Sequence, residues 1–123
     1  MSEYNCIRKV SIATGATTTL AGNGSTGTID AIGGAARFNA PRGLEAAGTS
    51  LFIGDTNNGL IRKIDLTTNA VTTIIGGGPG FLNYVHSRPG LLANPLGVYS
   101  MNYISGKLYF GEWDGWGPFK YKL

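Results

Sequence analysis

From Ile7 to Gly22 the chain runs IRKVSIATGATTTLAG, and from Ile61 to Gly76 it runs IRKIDLTTNAVTTIIG. Apolar residues throughout fall in short runs rich in β-branched types and closed by Gly, Asn, Asp or Pro, and no window holds a helical period for ten residues. Such runs predict short strands and no helix. Eight of the sixteen positions in the two words are identical at an offset of 54, and Val10/Ile64, Ile12/Leu66 and Leu20/Ile74 exchange one aliphatic for another. A period of tens of residues predicts stacked copies of one supersecondary unit.

Two further landmarks recur in the same order. Pro41, Gly43 and Leu44 meet Pro95, Gly97 and Val98 at 54, and LFIGD from Leu51 meets LYFGE from Leu108 at 57. The central copy then predicts four strands, Gly43–Ala47, Ser50–Gly54, Leu60–Leu66 and Ala70–Ile75. They are joined by turns at Gly48-Thr49, Asp55–Gly59 and Thr67–Asn69, where Gly and Asn accept positive φ. Both faces of this meander are apolar, as in LIRKIDL and TTIIG, so it must sit between similar sheets. Sheets stacked radially make a β-propeller, for which one repeat per blade is the expected size. The expected fold is therefore all-β: four-stranded antiparallel blades of a β-propeller in an incomplete ring. Residues 1–22 supply the last two strands of a blade, 23–41 an inter-blade loop, and 42–76 a complete blade. Residues 77–95 form a second inter-blade loop, and 96–123 the first three strands of a further blade.

These residues resemble the NHL-repeat propellers, a six-bladed family related in shape to the TolB-like propellers. The resemblance is carried by LFIGDTNNGLIRKID at 51–65, TTLAGNGSTGTIDAIGGAARFNAPRGL at 18–44 and TTIIGGG at 72–78, and it covers about two blades. So few blades cannot close a ring, and the flanking sheets are expected to expose apolar faces and strand edges. Either the remaining blades of a longer propeller or self-association must complete it. The surplus strand at 118–123 favours the longer propeller over three copies making six blades.

Composition narrows the class. The chain has 123 residues, 42% hydrophobic and 14% charged, with 20 glycines and a formal charge of +3. No apolar run approaches the roughly 18 residues of a spanning helix, so no membrane insertion is expected. The basic residues are scattered rather than clustered, which gives nucleic acid only weak support as a partner. Met1–Asn5 lacks the apolar core of a signal peptide, and no targeting or transmembrane segment specifies a localisation. The single cysteine, Cys6, excludes an internal disulfide framework.

Candidate chemistry is sparse. Gly22, Gly24 and Gly27 spell G-x-G-x-x-G after a strand, but Gly33-Gly34 interrupts the helix that would hold a pyrophosphate, so no dinucleotide is expected. His86 is the only histidine. It cannot form a multi-histidine metal centre, and Ser87 beside it is not placed as a relay partner. Asn39, Asn94 and Asp55 offer oxygens for a calcium site, although Asx residues in turns are usually structural. Arg62-Lys63 repeats Arg8-Lys9, which favours a structural role, with the charges reaching water or a carboxylate such as Asp55 or Asp65. No catalytic residue, metal site or cofactor is read from the chain.

Loops of about 20 residues in a compact domain tend to be functional, and the two long connections emerge at one end of the sheets. That end is expected to gather Arg37, Arg42, Tyr84, His86, Arg88, Trp113, Asp114 and Trp116. The resulting expectation is a non-catalytic propeller segment that binds a protein or peptide through its long-loop face. Two alternatives remain open: a propeller hydrolase or lyase whose active-site residues lie on other blades, and an RNA-binding NHL propeller.

Overall fold

The computed structural model describes residues 5–76, 98 and 100–111, and the backbone of 112–113 and 118–122. Its strands are β1 (Ile7–Val10), β2 (Thr17–Ala21), β3 (Pro41–Ala47), β4 (Ser50–Asp55), β5 (Leu60–Asp65), β6 (Ala70–Ile75), β7 (Ser100–Ile104), β8 (Lys107–Trp113) and β9 (Pro118–Lys122). They form antiparallel sheets of two, four and three strands, ordered β1-β2, β3-β4-β5-β6 and β7-β8-β9. This is the expected all-β architecture of stacked meanders with no closed ring among the described residues.

The repeat is kept down to its irregularities. β1 and β5 each slip register at the same place, between Ile7 and Arg8 and between Ile61 and Arg62. A bulge of this kind re-aims the side chains that follow it. The glycines closing the two repeated words, Gly22 and Gly76, both have positive φ, of 86° and 92°. A Cβ on either would collide with a carbonyl oxygen, that of Asn5 or of Gly59. Both pressures leave glycine as the residue that fits.

Alternation along β5 sends Ile61 to one face of the central sheet and Arg62 and Ile64 to the other. On the first side, Ile61 and Ile75 pack with Val98, Met101, Leu108 and Phe110 of the three-stranded unit. On the second, Ile53, Ile64 and Val71 pack with Ile7, Ala21, Ala36 and Phe38. Burying a large aliphatic or aromatic side chain stabilises by about 1.5–3 kcal/mol, so each face of the central sheet contributes substantially, but only while its neighbour is present.

Matching positions show what happens where a neighbour is missing. Ile64 is fully buried, whereas Val10 at the same place in the repeat is 58% exposed. Leu44 stands opposite Ile53 as Met101 stands opposite Phe110, yet Leu44 is 49% exposed and Met101 8%. The uncovered surface thus lies on the β1–β2 side of the central sheet, over β1 and β3.

The two inner strands meet closely on the other side. Gly43 N and Thr56 Oγ1 donate to Val98 O at 3.3 and 3.2 Å, Tyr103 N donates to Glu45 Oε1 at 3.2 Å, and the Phe52 and Tyr103 rings stack with centroids 5.9 Å apart. Gly54 makes this approach possible, because a Cβ there would lie 2.5 Å from Val98 O and 2.8 Å from its Cβ. Gly54→Ala is therefore expected to destabilise by about 1–3 kcal/mol, as overpacking does. Urea unfolding should show a lower midpoint, and amide exchange should rise first in β7.

Candidate functional site

The most constrained chemistry among the described residues is a buried cation. Arg62 is fully buried on the face of β5 that meets the segment between β2 and β3. Its Nη1 donates to Asp55 Oδ2 at 3.0 Å and to Arg37 O at 2.6 Å. Its Nη2 donates to Asp30 Oδ1 and Ile29 O at 2.6 and 2.7 Å, and its Nε to Asp30 Oδ1 at 3.2 Å. The guanidinium carbon lies 4.8 Å from the centroid of the Phe38 ring. Two carboxylates, two carbonyls and one aromatic face together replace the water lost on burial.

Each partner has its own support. Asp55, at the end of β4, is fully buried; its Oδ1 accepts from Asn39 N and its Oδ2 from Asn58 Nδ2, both at 2.8 Å. Burial pushes its carboxyl above the ordinary value, against the pull of the Asn39, Asn58 and Arg62 donors. Asp30 accepts in addition from Thr73 N and Thr73 Oγ1, both at 3.0 Å. It thereby ties the inter-sheet segment to β5 and β6 at once. The repeat had pointed to Asp55 or Asp65 as the partner; the structure gives Asp55 and Asp30, and water does not reach the charge.

The inter-sheet segment is more ordered than a loop reading implies. Gly33–Ala35 forms a single 3-10 turn, Thr26 bridges Phe38, Ile29 bridges Arg37, and Ile32 bridges Ala70 on the outer strand β6. Val71 N donates to Ala31 O at 2.9 Å and Gly33 N to Asn69 O at 2.9 Å, so the segment partly covers the edge of β6. Asn5 clamps its two ends, donating to Gly24 O at 3.0 Å and accepting from Ala40 N at 2.9 Å.

Of the residues expected at a binding face, Arg37 belongs to this network. Its Nη1 turns back to Gly34 O and Ala36 O at 2.6 and 2.7 Å, bracing the turn. Arg42 lies exposed on β3. Trp113 is placed by its backbone at the end of β8, opposite Pro118. Tyr84, His86, Arg88, Asp114 and Trp116, and with them Asn94, lie outside the described residues. Among the described residues no cluster of three or more His, Cys, Asp or Glu could hold a metal ion, and no helix is long and apolar enough to cross a membrane. Asn39, the other calcium candidate, spends its carbonyl and side-chain oxygens on Asn57, at 3.0 and 3.5 Å.

The described residues also form a concave surface on the three-stranded unit. A groove of about 400 Å3 is lined by Ser100, Met101, Asn102, Tyr109, Phe110 and Gly111. It starts at the Ser100–Gly111 pair, the end of the β7–β8 ladder from which the β8–β9 connection leaves. Hydroxyl, amide and aromatic groups there offer both hydrogen bonds and apolar contact.

Comparison with known proteins finds similarity to NHL-repeat proteins over part of the chain. The chain is 46% identical over 43 residues to NHL repeat-containing protein 2 of Gallus gallus, and 39% identical over 57 residues to the proteins of that name in Bos taurus and Homo sapiens. Within these stretches the chain is similar to NHL-repeat proteins. These matches take in 35–46% of the chain and 6–8% of those relatives' length. The fold also resembles auxiliary nutrient binding proteins of Bacteroides ovatus and Bacteroides thetaiotaomicron, with TM-scores of 0.69 and 0.67 at 19% and 18% identity. Those matches cover 90% and 91% of this chain and 31% of each of theirs. No protein-family profile matches the chain.

Two predictions follow from the network and its surroundings. Arg62→Met keeps the volume but leaves Asp55 buried without its cation, and is expected to cost about 3–5 kcal/mol; the double variant with Asp55→Asn should recover part of that loss in urea unfolding. Separately, Asp65 Oδ1 accepts from Thr67 Oγ1 and Thr67 N at 2.6 and 2.8 Å, and these bonds hold its carboxyl below the ordinary value. A depressed carboxyl stabilises the fold above its unfolded value and loses that contribution as pH falls through the folded one. NMR titration should show Asp65 protonating late on acidification, and Thr67→Ala should move it back upward.

Proposed function

We propose that this NHL-type segment is non-catalytic and serves as a scaffold that binds a protein or peptide at the end of its sheets where the long connections emerge. The groove along β7–β8 carries this reading. It is open, of a size to take side chains rather than a flat contact, and lined by Tyr109, Asn102 and Ser100, with Met101 and Phe110 between them along the strands. In this reading Arg42 on β3, with Tyr84, His86, Arg88, Trp113, Asp114 and Trp116, would take part in the same binding. The blades in this reading are residues 1–22, 42–76 and 96–123, linked by 23–41 and 77–95. The exposed surface over Val10 and Leu44 is completed by further blades or by a second copy.

Buried charge serves architecture here. Arg62, Asp55 and Asp30 satisfy one another, and none of the three is left poised for proton transfer or nucleophilic attack. A display library of random peptides tests the proposal. Enriched peptides should bind the protein and lose roughly tenfold or more in affinity with Tyr109→Ser, as an aromatic anchor does, while high salt leaves them bound. Peptides that ignore Tyr109→Ser, or a complete failure of enrichment, would contradict it. Binding of single-stranded RNA that weakens steeply with salt would replace it with a phosphate-driven partner.

A further inference from the structure

The chain contains two Asn-Gly steps, Asn23–Gly24 and Asn58–Gly59, and the fold treats them in opposite ways. An asparagine followed by glycine is open to attack by the glycine nitrogen on its own side-chain amide carbon, because glycine has no Cβ to obstruct the approach. In that reaction the glycine nitrogen bonds to asparagine Cγ, the bond from Cγ to the side-chain nitrogen breaks, and ammonia leaves carrying the glycine N–H proton. Water then opens the five-membered imide at one carbonyl or the other, giving aspartate or isoaspartate. The step is fastest where the asparagine Nδ2 that must leave and the glycine N–H that must attack are both free of other acceptors.

In Asn58–Gly59 neither is free. Asn58 Nδ2 donates to Gly27 O and to Asp55 Oδ2, both at 2.8 Å, and Gly59 N donates to Thr56 O at 3.2 Å. The step belongs to the support of the buried arginine and is fixed with it. Asn23–Gly24 lies outside that network. Asn23 is exposed, its Nδ2 and the Gly24 N–H have no acceptor among the described residues, and its Oδ1 accepts from Ser25 N at 3.0 Å. That local bond is made by the oxygen and leaves the departing amide nitrogen unheld.

We propose that Asn23 is a deamidation site, and that its conversion loosens the segment between β2 and β3. Gly24 O is an acceptor for Asn5 Nδ2 at 3.0 Å, and Asn5 Oδ1 accepts from Ala40 N at 2.9 Å. Isoaspartate carries the main chain through an extra methylene just ahead of Gly24, displacing the carbonyl that Asn5 holds. Either product adds one negative charge beside that clamp, lowering the formal charge of +3 by one. The inference is independent of any ligand at the β7–β8 groove.

The test is peptide mapping by mass spectrometry of the whole chain aged at mildly alkaline pH, with isoaspartate methylation as a second readout. Asn23 should convert faster than Asn58 by about tenfold or more, the cost of first breaking two side-chain hydrogen bonds at Asn58. In strong denaturant the two rates should converge, since the protection of Asn58 comes from the fold. Aged protein should show faster amide exchange at Ala40 than fresh protein, and the Asn23→Ser variant should show no such ageing. Equal rates in the folded protein, faster conversion at Asn58, a rate ratio that persists in denaturant, or unchanged exchange at Ala40 would overturn the proposal.

Discussion

A guanidinium with no access to water is the constraint around which the central sheet is arranged. Desolvating one charge costs several kcal/mol, and that cost is recovered only if the surrounding groups are placed well. Those around Arg62 come from β4, through Asp55, and from the segment between β2 and β3, through Asp30, Ile29 O, Arg37 O and Phe38. Asp55 can reach Arg62 within the β4–β5 hairpin, but Asp30, Ile29 O, Arg37 O and Phe38 reach it only when the inter-sheet segment lies on the sheet. The arginine therefore makes the order of the inter-sheet segment a condition of the order of the sheet.

The same dependence operates between sheets. The central meander has two apolar faces, and each is dry only because another unit lies on it. The repeated words show this directly, since Ile64 is buried and Val10, in the same place one repeat earlier, is 58% exposed. Both positions hold a β-branched aliphatic residue; the neighbour is what differs. Stability in such an array is a sum of unit and interface contributions rather than a property of one sheet.

This explains what could be read in the chain and what could not. The strands, their turns and the stacking follow from periodicity, and the repeat marks even the paired glycines Gly22 and Gly76, with φ of 86° and 92°. Comparison of like with like reveals what recurs. It cannot reveal that Arg62 is buried while Arg8 is exposed, because both stand in the same Ile-Arg-Lys triplet. Nor does it reach Asp30, whose contact with Arg62 spans 32 residues and does not recur. Tyr84 stands 54 residues after Asp30, and Tyr121 pairs with Phe110 as Arg62 pairs with Ile53. In the third unit a tyrosine thus stands at the arginine's place while Glu112 keeps an acid at that of Asp55, a difference legible only once the ladder register is known. The groove along β7–β8 was equally hidden, because its lining is set by how two strands open toward one end. Of the residues named for that end, Arg37 proved to brace its own turn.

Native-state hydrogen exchange, resolved by residue, tests the linkage through Arg62 most directly. Slow exchange at Ile61–Ile64 in β5 should be matched by slow exchange at Gly33 and Val71, whose amides bond across the inter-sheet segment, and all should open together as denaturant is added. Rapid exchange at Gly33 and Val71 while β5 stays protected would show that the segment and the sheet are ordered separately, and that the buried arginine does not couple them.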